Sequence, residues 1–140
     1  MNELNQHSPF ALVVDDDFLI RTDAAEILRT AGFRVLEAEH GDAAYALMET
    51  RHSDVVLLFT DVQMPGQLDG FALARAVAKS WPHVSIVVAS GQAKPGPGDM
   101  PDKARFVGKP FSAEMVHAHL HEILPDGQKP EPLKAASVGR

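Results

Sequence analysis

The sequence predicts an α/β domain: a doubly wound, five-stranded parallel sheet with helices on both faces. Short apolar runs alternate with helical patterns along residues 9–124. The runs at 10–14, 55–60 and 84–89 are almost continuously apolar, as is typical of strands buried on both faces. Acidic, hydroxyl or basic residues stand directly after the first, third, fourth and fifth runs, where an open parallel sheet binds its ligands.

The candidate strands are 10–14, 34–38, 55–60, 84–89 and 104–108. Apolar residues at helical spacing predict helices over 18–31, 42–51, 70–80 and 112–124. Asp17 is expected to cap the first helix or stabilise its dipole, and Ser112 to cap the last, while Gly32 ends the first. Residues 92–102 hold three prolines and two glycines, so the helix between strands 4 and 5 is expected to be short or missing.

The ends of the chain differ in composition from this core. Residues 1–8 are polar, which predicts a flexible N-terminus. Residues 125–140 contain three prolines and two glycines, which predicts a flexible C-terminal tail. The folded domain is therefore expected to span 9–124, with no output domain after it.

Composition excludes several classes of function. The chain has 140 residues, 45% of them hydrophobic, and no cysteine, which excludes disulfides and cysteine-ligated metal sites. A net charge of −6 argues against DNA as a partner. No apolar run approaches the ~20 residues of a membrane span, and the first residues lack a signal-peptide pattern. A cytoplasmic protein that does not bind membranes is expected.

The residues after the strands predict one site. Asp15, Asp16 and Asp17 follow the first strand, and Asp61, Ser90 and Lys109 follow the third, fourth and fifth. Two carboxylates about 5 Å apart repel by roughly 3 kcal/mol at an effective dielectric of about 20, so several together call for a cation. Mg²⁺ binds one or two carboxylates and leaves positions for phosphoryl oxygens. With a lysine and a hydroxyl nearby, these residues indicate phosphoryl transfer.

Four strings occur in order along the chain: LVVDDDFLIR, LLFTDVQMPG, VVASG and FVGKPF. Together they resemble the receiver domain of two-component response regulators, over about residues 9–124. The resemblance implies a flavodoxin-like receiver fold. It also implies that Asp61 is the phosphoacceptor, and that Asp15, Asp16, Asp61 and the backbone carbonyl of Gln63 hold Mg²⁺.

The resemblance assigns roles around the phosphoryl group as well. Ser90 and Lys109 would bind it, and Phe106 matches the aromatic residue that changes rotamer on activation, although phenylalanine has no hydroxyl. Pro65, Gly66 and Pro110 would be structural at the site, with Lys109–Pro110 a candidate cis bond. The segment MPGQLDG is one residue longer than the family's usual loop. The missing fourth helix belongs to the family's usual output face.

The predicted function is a phosphorylation-controlled receiver in a two-component or phosphorelay pathway. A sensor histidine kinase or phosphotransfer protein would be the donor, and the signal would leave through protein–protein contacts. The chain would not be an enzyme beyond its own phosphorylation and dephosphorylation.

The same residues are compatible with other functions. A metal-dependent phosphatase would use an aspartate after strand 1, and a pseudo-receiver would bind proteins without phosphorylation. A nucleotide- or flavin-binding domain would need a glycine-rich turn after the first strand, and this sequence has an acidic turn there instead. His117, His119 and His121 are interpreted as a solvated helix face, not a metal site.

Overall fold

The computed structural model describes residues 8–138, which form a parallel sheet with helices on both faces. The strand order is β2-β1-β3-β4-β5. This arrangement confirms the predicted doubly wound sheet. The strands are β1 (Phe10–Val14), β2 (Arg34–Ala38), β3 (Val55–Asp61), β4 (Ser85–Ser90) and β5 (Arg105–Gly108).

Helices cover both faces of the sheet. Along β1, Ala11 and Val13 face one side while Leu12 and Val14 face the other, and all four are buried. Both faces therefore need apolar residues, which explains the continuous run in the sequence. Helices α1 (Phe18–Thr30) and α4 (Ala113–Ile123) pack on one face, and α2 (Gly41–Arg51) and α3 (Gly70–Ser80) pack on the other.

Side-chain caps start the helices where the sequence predicts them. The Asp17 carboxylate accepts hydrogen bonds from the amides of Leu19 and Ile20 at 2.9 and 3.1 Å. The Ser112 hydroxyl accepts one from the Met115 amide at 3.1 Å. Both residues satisfy amides that the first helical turn leaves unpaired.

An irregular segment, 91–104, replaces a helix between β4 and β5, as its prolines and glycines predict. The Asp99 carboxylate accepts a hydrogen bond from the Gly96 amide at 2.7 Å, and Arg75 of α3 donates one to the Asp99 carbonyl at 2.7 Å. The segment is thus ordered against α3 without being helical. Among the helices within 8–138, none has the length and apolar character needed to cross a bilayer.

The described part of the C-terminus, for which the sequence predicts a flexible tail, contains helical elements. A 3₁₀ turn (Asp126–Gln128) leads into α5 (Glu131–Val138). Leu133 is only 2% exposed and joins the core beneath α1 and α4. A Cβ on Gly32 would lie 2.6 Å from Pro130 Cβ, so this segment packs closely on the turn after α1. The domain therefore continues past 124, whereas residues 1–7, most of the predicted flexible N-terminus, lie outside the described range.

Leu133→Ala should destabilise the protein by about 2–5 kcal/mol, the usual effect of truncating a buried leucine. Urea unfolding measures the change, with Glu131→Ala on the exposed side of the same helix as the control. Equal stabilities for the two variants would mean that α5 does not contribute to the core.

Candidate functional site

The carboxyl edge of the sheet brings the predicted acids and the lysine together. Asp15 follows β1, Asp61 ends β3, and Lys109 follows β5. The Lys109 ammonium donates hydrogen bonds to Asp15 Oδ2 at 3.0 Å and to Asp61 Oδ1 at 2.9 Å. Carboxylate oxygens of Asp15, Asp16 and Asp61 all lie within 4.8 Å of one another.

The three carboxylates differ in their access to solvent. Asp15 and Asp61 are 4% and 9% exposed, while Asp16 is exposed at the rim. Three carboxylate oxygens this close together suit a hard divalent cation. The negative charge of three carboxylates exceeds the positive charge of one lysine, so a further cation would be favourable. The donor set therefore fits Mg²⁺ with room for further oxygen ligands.

Burial and Lys109 act in opposite directions on the phosphoacceptor candidate. Burial raises the pKa of Asp61, the hydrogen bond from Lys109 lowers it, and the net effect is a raised pKa. Burial lowers the pKa of Lys109, but its hydrogen bonds to Asp61 and Asp15 outweigh that effect and the net pKa is raised. Lys109 is therefore a cation at neutral pH, directly beside Asp61.

The raised pKa of Asp61 predicts a pH dependence of stability without Mg²⁺. The folded protein holds a proton on Asp61 at pH values where the unfolded chain has released it, so stability falls as pH rises through the folded pKa. Asp61→Asn should remove this contribution, so that the free energy of unfolding falls less steeply as pH rises from the ordinary pKa of an aspartate toward neutrality. Urea unfolding across that range tests this, and parallel profiles for variant and wild type would contradict it.

A buried arginine that the sequence did not single out holds the first acidic turn. Arg21 on α1 is 8% exposed. Its Nη1 donates to the Asp15 carbonyl at 2.8 Å, and its Nε donates to Glu37 Oε1 on β2 at 2.9 Å. The Asp15 side chain also accepts a hydrogen bond from the Asp17 amide at 2.9 Å. The position of Asp15 is thus fixed from both its backbone and its side chain.

Two neighbours of Asp61 were also missed at the sequence level. The Thr60 hydroxyl is buried and donates to the Asp61 carbonyl at 2.9 Å. Gly70 passes so close that a Cβ there would lie 1.9 Å from the Asp61 carbonyl oxygen. One feature of the sequence could have identified Gly70: glycine is a poor helix former, yet it occupies the first position of α3, directly after the N-cap residue Asp69.

The loop after β3 contains three further predicted residues. Gln63 is exposed, as are Pro65 and Gly66. Gly66 has a φ of +104°, in the region that favours glycine. Coordination of an ion by the Gln63 carbonyl stays a prediction.

The remaining predicted residues lie on β4 and β5. Ser90 is buried, and its hydroxyl accepts hydrogen bonds from the amides of Gln92 and Ala93 at 3.3 and 3.0 Å. The Ser90 carbonyl accepts one from the Lys109 amide at 3.0 Å, which joins the two strand ends. The Lys109–Pro110 bond is cis. Phe106 is half-buried against the core between the sheet, α2 and α3.

The three histidines of α4, interpreted from the sequence as a solvated face, are half-buried in the structure. A ring nitrogen of His117 lies 3.0 Å from the Ile27 carbonyl of α1. His119 Nδ1 lies 3.2 Å from Nη1 of Arg105 on β5. His117 therefore contacts the helix beside α4, and His119 contacts the strand beside it.

Comparison with known proteins agrees with this geometry. The family model "Response regulator receiver domain" matches residues 11–121. The chemotaxis protein CheY homolog of Campylobacter jejuni is 30% identical over 122 residues, which are 83% of this chain and 92% of that protein. The sensor kinase CckA of Brucella abortus is 31% identical over 120 residues, 84% of this chain. The chain spans about 13% of the length of CckA and of the gliding motility regulatory protein of Myxococcus xanthus.

Solved structures show the same likeness. The Vibrio cholerae chemotaxis protein CheY4 superposes with a TM-score of 0.71 at 25% identity, covering 84% of this chain and 99% of that one. The receiver domain of the hybrid histidine kinase CckA gives a TM-score of 0.66 at 27% identity, covering 83% and 99%. By its sequence and its fold, the chain belongs to the response regulator receiver domain family.

Proposed function

We propose that this chain is a signalling receiver whose Asp61 accepts a phosphoryl group from a histidine kinase or a phosphotransfer protein. One observation supports this most directly: Lys109 donates to both Asp15 and Asp61, beside the exposed Asp16, at the ligand-binding edge of the sheet. Family membership supports the same role.

The reaction is a transfer between a phosphohistidine and Asp61. A carboxylate oxygen of Asp61 attacks the phosphorus in line as the bond from phosphorus to the donor nitrogen breaks, and the electron pair leaves with the imidazole. Lys109 lies within 2.9 Å of Asp61, so its ammonium offsets charge on the transferred group. The chain would catalyse only this transfer and the later hydrolysis.

The metal-holding residues would be Asp15, Asp16, Asp61 and the Gln63 backbone carbonyl. When bound, Mg²⁺ supplies positive charge to the phosphoryl oxygens. Asp16 lies at the open rim, while Asp15 and Asp61 are buried. The two buried carboxylates would hold the ion from the protein side, and the exposed Asp16 would bind it from the solvent side.

The signal would leave through contacts with another protein in the cytoplasm. Ser90 is suited to report phosphorylation because its hydroxyl contacts the first amides of segment 91–104. A hydrogen bond from Ser90 to the phosphoryl group would therefore act on that segment directly. Phe106, on the neighbouring strand, is the aromatic residue that would respond.

Acetyl phosphate with Mg²⁺ tests the proposal. Intact mass should show the addition of one phosphoryl group, and peptide mapping should place it on Asp61. Continuous turnover of a small phosphomonoester without a labelled Asp61 would instead indicate a phosphatase that uses an aspartate after β1. Binding of a partner protein with no labelling would indicate a pseudo-receiver.

A further inference from the structure

The loop between β3 and α3 spans residues 62–69. Its base is closed by a hydrogen bond from the Gly70 amide to the Val62 carbonyl at 2.8 Å. The backbone amides at the far end of the loop need hydrogen-bond acceptors. Gln63, the candidate metal ligand, lies between this far end and Asp61.

Asp42 in the first turn of α2 supplies those partners. Its Oδ2 accepts a hydrogen bond from the Gln67 amide and its Oδ1 accepts one from the Leu68 amide, both at 3.1 Å. At Gly66 a Cβ would lie 3.0 Å from Asp42 Oδ2, so the loop backbone runs directly against the carboxylate. One side chain thus holds two consecutive residues of the loop by hydrogen bonds and lies close to the backbone of a third.

The helix that carries Asp42 is itself fixed. Ala44 and Met48 are fully buried against the sheet, so α2 has a defined position. Gly41 approaches the loop so closely that a Cβ there would lie 2.4 Å from the Leu68 carbonyl oxygen. The contact between α2 and the loop is therefore a close backbone contact with the Asp42 carboxylate beside it.

We propose that Asp42 is a positioning residue for the phosphorylation site: it holds the loop between β3 and α3 so that Gln63 presents its carbonyl to the metal. The inference rests on the proposed function. An acid in the first turn of a helix also stabilises the helix dipole. That role alone would change stability without changing the affinity for Mg²⁺.

Three variants separate these roles. Asp42→Ala removes both acceptors. Asp42→Asn removes the charge but leaves one acceptor oxygen for one of the two amides. Asp99→Ala is the matched control. The Asp99 carboxylate also accepts a hydrogen bond from a loop amide, that of Gly96 at 2.7 Å, but both residues lie in segment 91–104. Each is measured for its Mg²⁺ dissociation constant by calorimetry without a phosphodonor, and for amide hydrogen exchange.

Asp42→Ala should weaken Mg²⁺ binding about 3- to 10-fold, at or below the usual effect of losing an outer-shell partner. Exchange at the Gln67 and Leu68 amides should become faster. Asp42→Asn should fall between Asp42→Ala and wild type, and Asp99→Ala should bind Mg²⁺ as wild type does. Labelling of Asp42→Ala by acetyl phosphate should slow by a similar factor.

Equal Mg²⁺ affinities for Asp42→Ala and Asp42→Asn would overturn the proposal, because charge alone would then explain the effect. Wild-type Mg²⁺ affinity in Asp42→Ala, with only a lower melting temperature, would also overturn it. Failure of the wild-type protein to bind Mg²⁺ or to accept a phosphoryl group would contradict the proposed function itself.

Discussion

Asp61→Asn should abolish phosphorylation by acetyl phosphate. The amide keeps the shape of the side chain and an oxygen that can accept from Lys109, which lies 2.9 Å from Asp61 Oδ1. A neutral amide lacks the nucleophilic carboxylate oxygen that forms the acyl phosphate. Intact mass after incubation with acetyl phosphate and Mg²⁺ measures the result.

Asp54→Asn is the matched control, because Asp54 is an exposed carboxylate paired with Arg51 and removed from the site. It should label at the wild-type rate. Labelling of Asp61→Asn as fast as this control would show that another residue is the acceptor.

Lys109→Ala should slow phosphorylation about 10²- to 10³-fold, as expected when one charge-stabilising donor is lost. Its removal leaves the buried Asp15 and Asp61 without their shared cation. The pKa of Asp61 should rise further, because the hydrogen bond from Lys109 lowers it in the wild type. The melting temperature should fall without Mg²⁺ and recover in part when Mg²⁺ replaces the missing charge.

Lys94→Ala controls for the loss of a positive charge, since Lys94 is exposed in segment 91–104. Circular dichroism and the labelling rate are measured for both variants. Wholesale unfolding of Lys109→Ala, with Mg²⁺ present, would indicate that Lys109 is mainly structural.

The sheet and most of the site could be predicted from the sequence because both depend on local patterns. Continuous apolar runs identify strands buried on both faces, as β1 shows. Asp15, Asp16 and Lys109 follow their strands and Asp61 ends its own strand, so a parallel sheet places them at one edge. Asp17 and Ser112 cap their helices through amides two or three residues away.

Features that depend on distant contacts could not be predicted in this way. The prolines and glycines of the C-terminal segment do not predict a helix there. Among the described residues of that helix, Leu133 is the strongly buried one, and it packs into a core formed by other elements. From the sequence alone, Arg21 would be expected on the surface. Its partner Glu37 lies on β2, and the sequence does not show that the two side chains meet. The need for glycine at position 70 arises only from the path of the Asp61 backbone.

A crystal structure with Mg²⁺ and beryllofluoride tests whether Asp61 is the phosphoacceptor at a magnesium site. We expect beryllofluoride on Asp61, with Lys109 and Ser90 in contact with it. Mg²⁺ should be bound directly by Asp16, Asp61 and the Gln63 carbonyl at about 2.0–2.1 Å, with Asp15 acting largely through water. Mg²⁺ or beryllofluoride bound elsewhere, with Asp61 still paired only to Lys109, would contradict this assignment.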